Sequence, residues 1–446
     1  MLVLQTILRT GESMRIMPRL SLIVLTTSVL FSHGTMPAQT NMGQTYGNKV
    51  TFVTPPNLRL VSSDSINGKP SFDYFILVKA KLNGVYDISG GLQNYETFNV
   101  GQIDVWGTDN TNRFWMDMHQ TQLRFRGQRE TDMGTLIGYL EGDFWAGNKT
   151  FRVRHAWVDF KFIHFGQDWS FFGDKDIWPN VLDWDGPPSG VWRRAPELKF
   201  YFPVTNAARV EVGLGTPNAD IWFSGDLDTA VSPAYQSMPD VIGAYRLETS
   251  FGHLRATAIY RSLRYTGANG VEAFPGYGAT VSGLVKTSST MPNTLQFQVV
   301  GGAGISTYLA SFGGYQFDAI PNAKGQVEAV PTLGGWAAYE HYFSKQWHIN
   351  LIGGFSYFRT PEIADYTIKT PGYEATNSKI DLDMLYGLVN LMYDPVPNLI
   401  FGLEYNYGYK QSNHRGNITV APGDVAQTVS QSRPAHRISF GVFFDF

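Results

Sequence analysis

Thr121-Gln122-Leu123-Arg124-Phe125-Arg126 alternates without a break: Leu123 and Phe125 fall on one face, Gln122, Arg124 and Arg126 on the other. A period of two is the pattern of an extended strand with one apolar and one polar face. It returns along the chain from about residue 72. Leu198, Phe200 and Phe202 alternate with Glu197, Lys199 and Tyr201, and Val210, Val212 and Leu214 with Arg209, Glu211 and Gly213. Phe401, Leu403, Tyr405 and Tyr407 alternate with Gly402, Glu404, Asn406 and Gly408.

So many one-sided strands need an apolar medium, and the composition says which kind. Only 16% of the 446 residues are charged, against roughly a quarter in ordinary globular domains. Aromatics make up 14% and there are 46 glycines. Mean hydropathy is nevertheless only −0.17, because every second strand residue faces water. Past residue 38 no apolar run reaches the roughly 18 residues of a membrane-spanning helix. The pattern predicts an all-β fold, a transmembrane antiparallel β-barrel.

Connector lengths set the strand count. Short turns fall at 131–134, 162–164, 204–206, 251–253, 292–293, 344–346 and 394–398. Between them lie mostly longer connectors at 90–113, 146–150, 170–195, 216–239, 264–276, 303–332, 359–381 and 410–433. This alternation of short periplasmic turns and long extracellular loops predicts about sixteen strands over residues 72–446. Arg15 and Arg19 precede the short apolar run Leu20–Phe31, so residues 1–38 read as a signal peptide ending at Ala38, with translation starting at Met14 or Met17. Residues 39–71 show no periodicity and read as a flexible periplasmic segment. The chain closes on Arg437-Ile438-Ser439-Phe440-Gly441-Val442-Phe443-Phe444-Asp445-Phe446, an alternating strand with a terminal aromatic. That ending resembles the signal read by the outer-membrane assembly machinery, and it predicts the outer membrane of a Gram-negative bacterium.

The work of such a barrel falls to the polar residues at its narrowest point. Parity turns Arg124, Arg126, Arg152 and Arg154 inward, with Tyr139, Glu141 and Asp143 on the strand between. The carboxylates of Glu141 and Asp143 are expected to hold the arginines erect. Lys199, Arg209, Glu211, Arg246, Glu248, Arg255, Glu340, Glu404 and Arg437 are further inward candidates. The connector 170–195 carries Asp174, Asp176, Asp183, Asp185, Trp178, Trp184, Trp192, Arg193 and Arg194. A wholly exposed loop rarely keeps that many aromatics, so it is expected to fold into the barrel and narrow it. An arginine cluster with members beyond its carboxylate partners favours anions, because guanidinium stays charged and grips carboxylates in a fork.

Phe151-Arg152-Val153-Arg154-His155-Ala156-Trp157, Phe165-Gly166-Gln167-Asp168-Trp169-Ser170, Gly186-Pro187 and Arg194-Ala195-Pro196 together resemble the DcaP family over about residues 118–205. Its members are trimeric, sixteen-stranded outer-membrane porins. The resemblance implies a homotrimer and passive diffusion of small organic anions, dicarboxylates especially, past a basic constriction. The family's usual N-terminal coiled coil is not visible in 39–71. Partners are thus small anionic solutes and the lipid and lipopolysaccharide around the barrel. A structural or adhesive barrel plugged by its own loops is the alternative.

Other classes find little support. There is no cysteine, so no thiolate site or Cys nucleophile. Five of the nine histidines, His119, His155, His164, His253 and His341, are scattered without an H-E-x-x-H or G-x-S-x-G partner, so no enzyme is expected. His155 and His341 read as outward or interface residues, structural rather than catalytic. The aspartates of 170–195 lack the spacing of a calcium loop, and neither a metal nor another cofactor is expected. A net charge of −3 offers no footprint for nucleic acid.

Overall fold

The computed structural model describes residues 58–446 apart from 89, 93–96, 222–231, 268, 314–316, 323–325, 363–367, 371–372 and 421–423. The leader at 1–38 and residues 39–57 lie outside the described residues. Strands run Phe72–Ile88 (β1), Arg113–Asp117 continued by Gln122–Thr131 (β2), Gly134–Ala146 (β3), Thr150–Phe160 (β4) and Ile163–Trp169 (β5). They continue as Arg194–Pro203 (β6), Ala208–Gly215 (β7), Asp240–Thr249 (β8), Gly252–Gly267 (β9), Gly270–Lys286 (β10) and Thr294–Ala303 (β11). The last five are Pro331–Tyr342 (β12), Trp347–Arg359 (β13), Tyr373–Val396 (β14), Leu399–Val420 (β15) and Asp424–Asp445 (β16).

Each strand pairs antiparallel with the next, and β16 closes the ring on β1, with Arg437 opposite Asp87 and Asp445 opposite Lys79. Sixteen strands make a closed antiparallel barrel, as expected. The period of two is realised physically. Leu123 and Phe125 keep 40% and 42% of their surface on the outside, whereas Gln122, Arg124 and Arg126 keep 0%, 5% and 7% inside.

The expected layout is corrected at four segments, one of them 359–381, where β14 already begins at Tyr373. The stretches 264–276 and 410–433 are mostly strand: β9 and β10 stay paired to Gly267 opposite Gly270, and β15 with β16 to Val420 opposite Asp424. The β15 and β16 ends are mostly polar in sequence and carry little alternation to read, whereas the β9 end turns its apolar Leu263 and Tyr265 inward, and Gly267, Gly270, Pro275 and Gly276 read as turn residues. The end of the segment taken as flexible is also paired, since Leu58–Val61 adds to the lower half of β1, Leu58 opposite Ile76.

Wall height is uneven. β5 and β7 have 7 and 8 residues, while β14 has 24. One bulge bears on the site. Glu141 lies opposite His155 and Gly142 opposite Val153, which leaves Arg154 as the extra residue of β4. The bulge keeps Arg152 inward beside Arg154 and turns His155 inward as well. His155 is 0% exposed, so its expected outward placement is corrected.

Candidate functional site

The inner wall of β2, β3 and β4 carries the arginines, and register fixes who meets whom. Arg124 stands opposite Glu141, and Arg152 opposite Asp143. Arg152 Nε and Nη2 donate to the two oxygens of Asp143 at 2.7 and 3.1 Å. Arg154 bridges both acids, Nε to Glu141 Oε1 and Nη1 to Asp143 Oδ2, each at 2.8 Å. Arg124 Nε lies 3.3 Å from Glu141 Oε2, which also accepts from the Tyr139 hydroxyl at 2.6 Å. Glu141 and Asp143 are thus spent on orienting three guanidinia, Arg152 and Arg154 through charge-assisted hydrogen bonds and Arg124 through an ion pair.

Arg194, at the head of β6, adds a fourth. It lies over the Trp169 ring at 5.1 Å, within electrostatic reach of Arg152, Arg154, Glu141 and Asp143. Arg126 lies over Phe75 at 5.6 Å, one inward position from Arg124 towards the short turns. Among the described residues no carboxylate stands within ion-pair distance of Arg126 or Arg194. Arg193 points elsewhere, over Tyr308 at 4.9 Å. Asp174 and Asp176 also lie apart from the arginine wall, on the β8–β10 side. Asp174 binds His253 at 2.9 Å and Ser282 at 2.8 Å, and Asp176 meets Arg246 at 2.6 Å. Burial would push the Asp174 carboxyl up, but its bond to His253 and the charges of Arg246 and Arg255 hold it below the ordinary carboxylate range.

Residues 170–193 run through the barrel interior and touch wall after wall. Asn180 donates to Glu340 on β12 at 2.7 Å, and Leu182 N to Glu404 on β15 at 2.7 Å. The Trp184 ring packs against the Arg154 guanidinium at 4.5 Å and the Lys81 ammonium at 5.0 Å. Val191 N donates to Gln298 on β11 at 3.0 Å. Two more connectors enter beside it. Phe98 and Ile103 from 90–112 and Ile305, Tyr308 and Phe312 from 304–330 join Phe172 and Ile177 in one buried apolar cluster. The wall part of that cluster comes from β8 to β14 and from β16, and none of its residues belongs to β2, β3, β4 or β5. The interior is therefore two-sided: loops packed against one wall, arginines on the other.

Lys81 was missed from sequence, although Lys79, Lys81, Asn83 and Asp87 share one parity on β1 and could have been found. The inward turn of 90–112 and 304–330 had no such signal, since irregular segments have no period. A buried cluster of Asp168 with His155 at 3.0 Å, His164 at 3.6 Å and Lys199 at 3.7 Å was also missed, because the bulge hides His155. No group of three or more metal-ligating side chains is found among the described residues.

Asp185 supplies a pH handle. It accepts from the Thr97 hydroxyl at 2.7 Å, tying 170–193 to 90–112. Burial and neighbouring Asp183 push its carboxyl up from 3.8 to about 6. A raised folded-state value favours the neutral form, so its contribution to loop docking is full below about pH 4 and is lost as pH rises through about 6. Anion selectivity, read as a zero-current potential, is expected to fall between about pH 5 and pH 7 and to stay flat there in Asp185→Asn.

Residues 86–433, well over half of the chain, match the model of the family described as the porin subfamily. The chain belongs to that family. Among solved structures, the porin resembles the outer membrane channel DcaP of Acinetobacter baumannii at 16% identity, over 87% of this chain and 100% of that one, with a TM-score of 0.65. The anion-selective porin from Comamonas acidovorans matches at 10% identity, over 84% of this chain and 100% of that one, with a TM-score of 0.50. At these identities the likeness is one of fold. Comparison with curated protein sequences finds no match. Family and fold make the protein an outer-membrane channel for diffusion in a Gram-negative bacterium.

Proposed function

We propose that this porin prefers small organic anions and works as a homotrimer. The charge count on the arginine wall carries the first part: Arg124, Arg152, Arg154 and Arg194 face two carboxylates, Glu141 and Asp143. Two positive charges remain in excess, with Arg126 one step below. In a narrow, low-dielectric passage that excess raises the local anion concentration. Partial pairing keeps each guanidinium from gripping a passing carboxylate too tightly to release it. The apolar loop cluster leaves the arginine side as the polar route. The same cluster is what favours the rival reading, a plugged structural barrel.

Planar-bilayer recordings under a KCl gradient test both. A zero-current potential of anion sign is expected. A cation sign removes the anion preference, and complete absence of conductance from folded protein favours the plugged barrel.

Wall height supports the trimer. A strand crossing the hydrocarbon needs about 9–11 residues. β5 with 7 and β7 with 8 are too short to meet lipid alone. A second copy covering that side resolves the mismatch. Light scattering of detergent-purified protein is expected to give three copies, and a monomer mass would overturn the assembly.

A further inference from the structure

Beneath the loop lies a cavity of about 290 Å³ that no charge count requires. Its ceiling is Trp178 and Trp184, its side carries Met392, Ile400 and Phe443, and Arg124 reaches into it from the arginine wall. The turns at 345–346 and 395–398 rim it, so it faces the short-turn, periplasmic end. A vestibule meant only for hydrated ions has no use for two tryptophans, a phenylalanine and a methionine.

We propose that this vestibule binds organic monoanions bearing an aromatic or alicyclic ring, with the carboxylate at Arg124 and the ring against the apolar side formed by Met392, Ile400 and Phe443. The inference rests on the anion preference proposed above and deepens it to a solute class. Three observations carry it. The volume accommodates one ring of six carbons with room to turn, within the size of a small-ligand site. Polarity is arranged along one axis, with Arg124 and its neighbouring guanidinia at the top and apolar side chains below. At the turn end Asp394 and Asp445 are balanced by Lys79 and Lys345, so that end carries no net charge and Arg124 supplies the attraction for a carboxylate. A small dicarboxylate such as succinate gains nothing from the apolar side.

The experiment measures the concentration of added solute that half-blocks the chloride current through wild-type channels. Benzoate is expected to block at roughly one tenth the concentration of acetate or succinate, the ring's burial supplying the difference. Equal potency of benzoate and acetate would overturn the proposal. So would equal potency of benzamide and benzoate, which would show that the head group does not matter. Phe443→Ser is expected to bring the benzoate-to-acetate ratio to within about twofold of one.

Phe443 also touches Leu182 of the loop, so Leu182→Ala serves as the comparison. It loosens the same anchor but keeps the ring surface, and should keep most of the ratio. Identical loss in both variants would assign the effect to loop release and overturn the site. The anion reading is judged separately, on the zero-current potential in KCl alone. A cation sign there, with benzyl alcohol still blocking, would sink the charge argument while leaving the apolar binding visible.

Discussion

Arg126→Glu combined with Arg194→Glu is expected to invert the selectivity of the channel. Arg194→Glu alone changes the wall from four guanidinia against two carboxylates to three against three. Arg126→Glu then adds a further negative charge below it. Neither arginine stands within ion-pair distance of a described carboxylate, so neither replacement orphans a buried acid. A unit charge about 7 Å from a permeating ion is worth roughly 0.6–2 kcal/mol, depending on the local dielectric. The double reversal should therefore move the chloride-to-potassium permeability ratio by about tenfold or more, from above one to below it. At about 1 M salt, where the Debye length is near 3 Å, the difference should shrink sharply. A ratio that stays above one in the double variant at low salt would show that the arginine wall does not set selectivity. Arg152→Gln is a milder contrast, because Asp143 keeps its bond to Arg154.

That wall was legible in the sequence for a definite reason. Arg124, Arg126, Glu141 and Asp143 sit on strands whose apolar partners face lipid, so parity alone turns them inward. Legibility ended where parity ended. The bulge at Arg154 kept both arginines of β4 inward and brought His155 in behind them, against strict alternation. The ends of β15 and β16 passed for loops because their sequence is mostly polar, and those of β9 and β10 because the apolar Leu263 and Tyr265 turn inward and Gly and Pro follow them. Partners across the lumen were invisible for another reason. Arg437 meets Asp87 at 2.6 Å and Asp183 at 3.3 Å, bringing together the first strand, the last strand and the loop. Only ring closure makes those neighbours, and no local spacing encodes it. The aromatics of 170–195 did announce an inward fold. The landing point of each was set by the opposite wall.

Releasing that loop is expected to have the larger effect on conductance. Among the holds on its tip, one combines shape and charge. Gly402 and Gly441 stand opposite each other on β15 and β16 and leave a notch for Leu182. A Cβ at either would come within 2.7 or 2.9 Å of a Leu182 methyl. Leu182 is 2% exposed and packs on Met392, Phe443 and Ile400. Beside it the amides of Leu182 and Asp183 donate to the two oxygens of Glu404 at 2.7 and 3.1 Å. Burying one leucine contributes about 1.5–3 kcal/mol, and each amide-to-carboxylate bond about as much. Gly402→Val with Glu404→Leu fills the notch and removes both acceptors, withdrawing about 5 kcal/mol from the docked state. That shifts the docked-to-released ratio by roughly three to four powers of ten, enough to turn a rare open state into the common one. The strand ladder is untouched, so heat unfolding of the barrel should barely move. Single-channel conductance should rise severalfold, and the loop should become cleavable by added protease. Cleavage without a rise in conductance would mean that the 90–112 and 304–330 connectors, rather than 170–193, set the width of the passage.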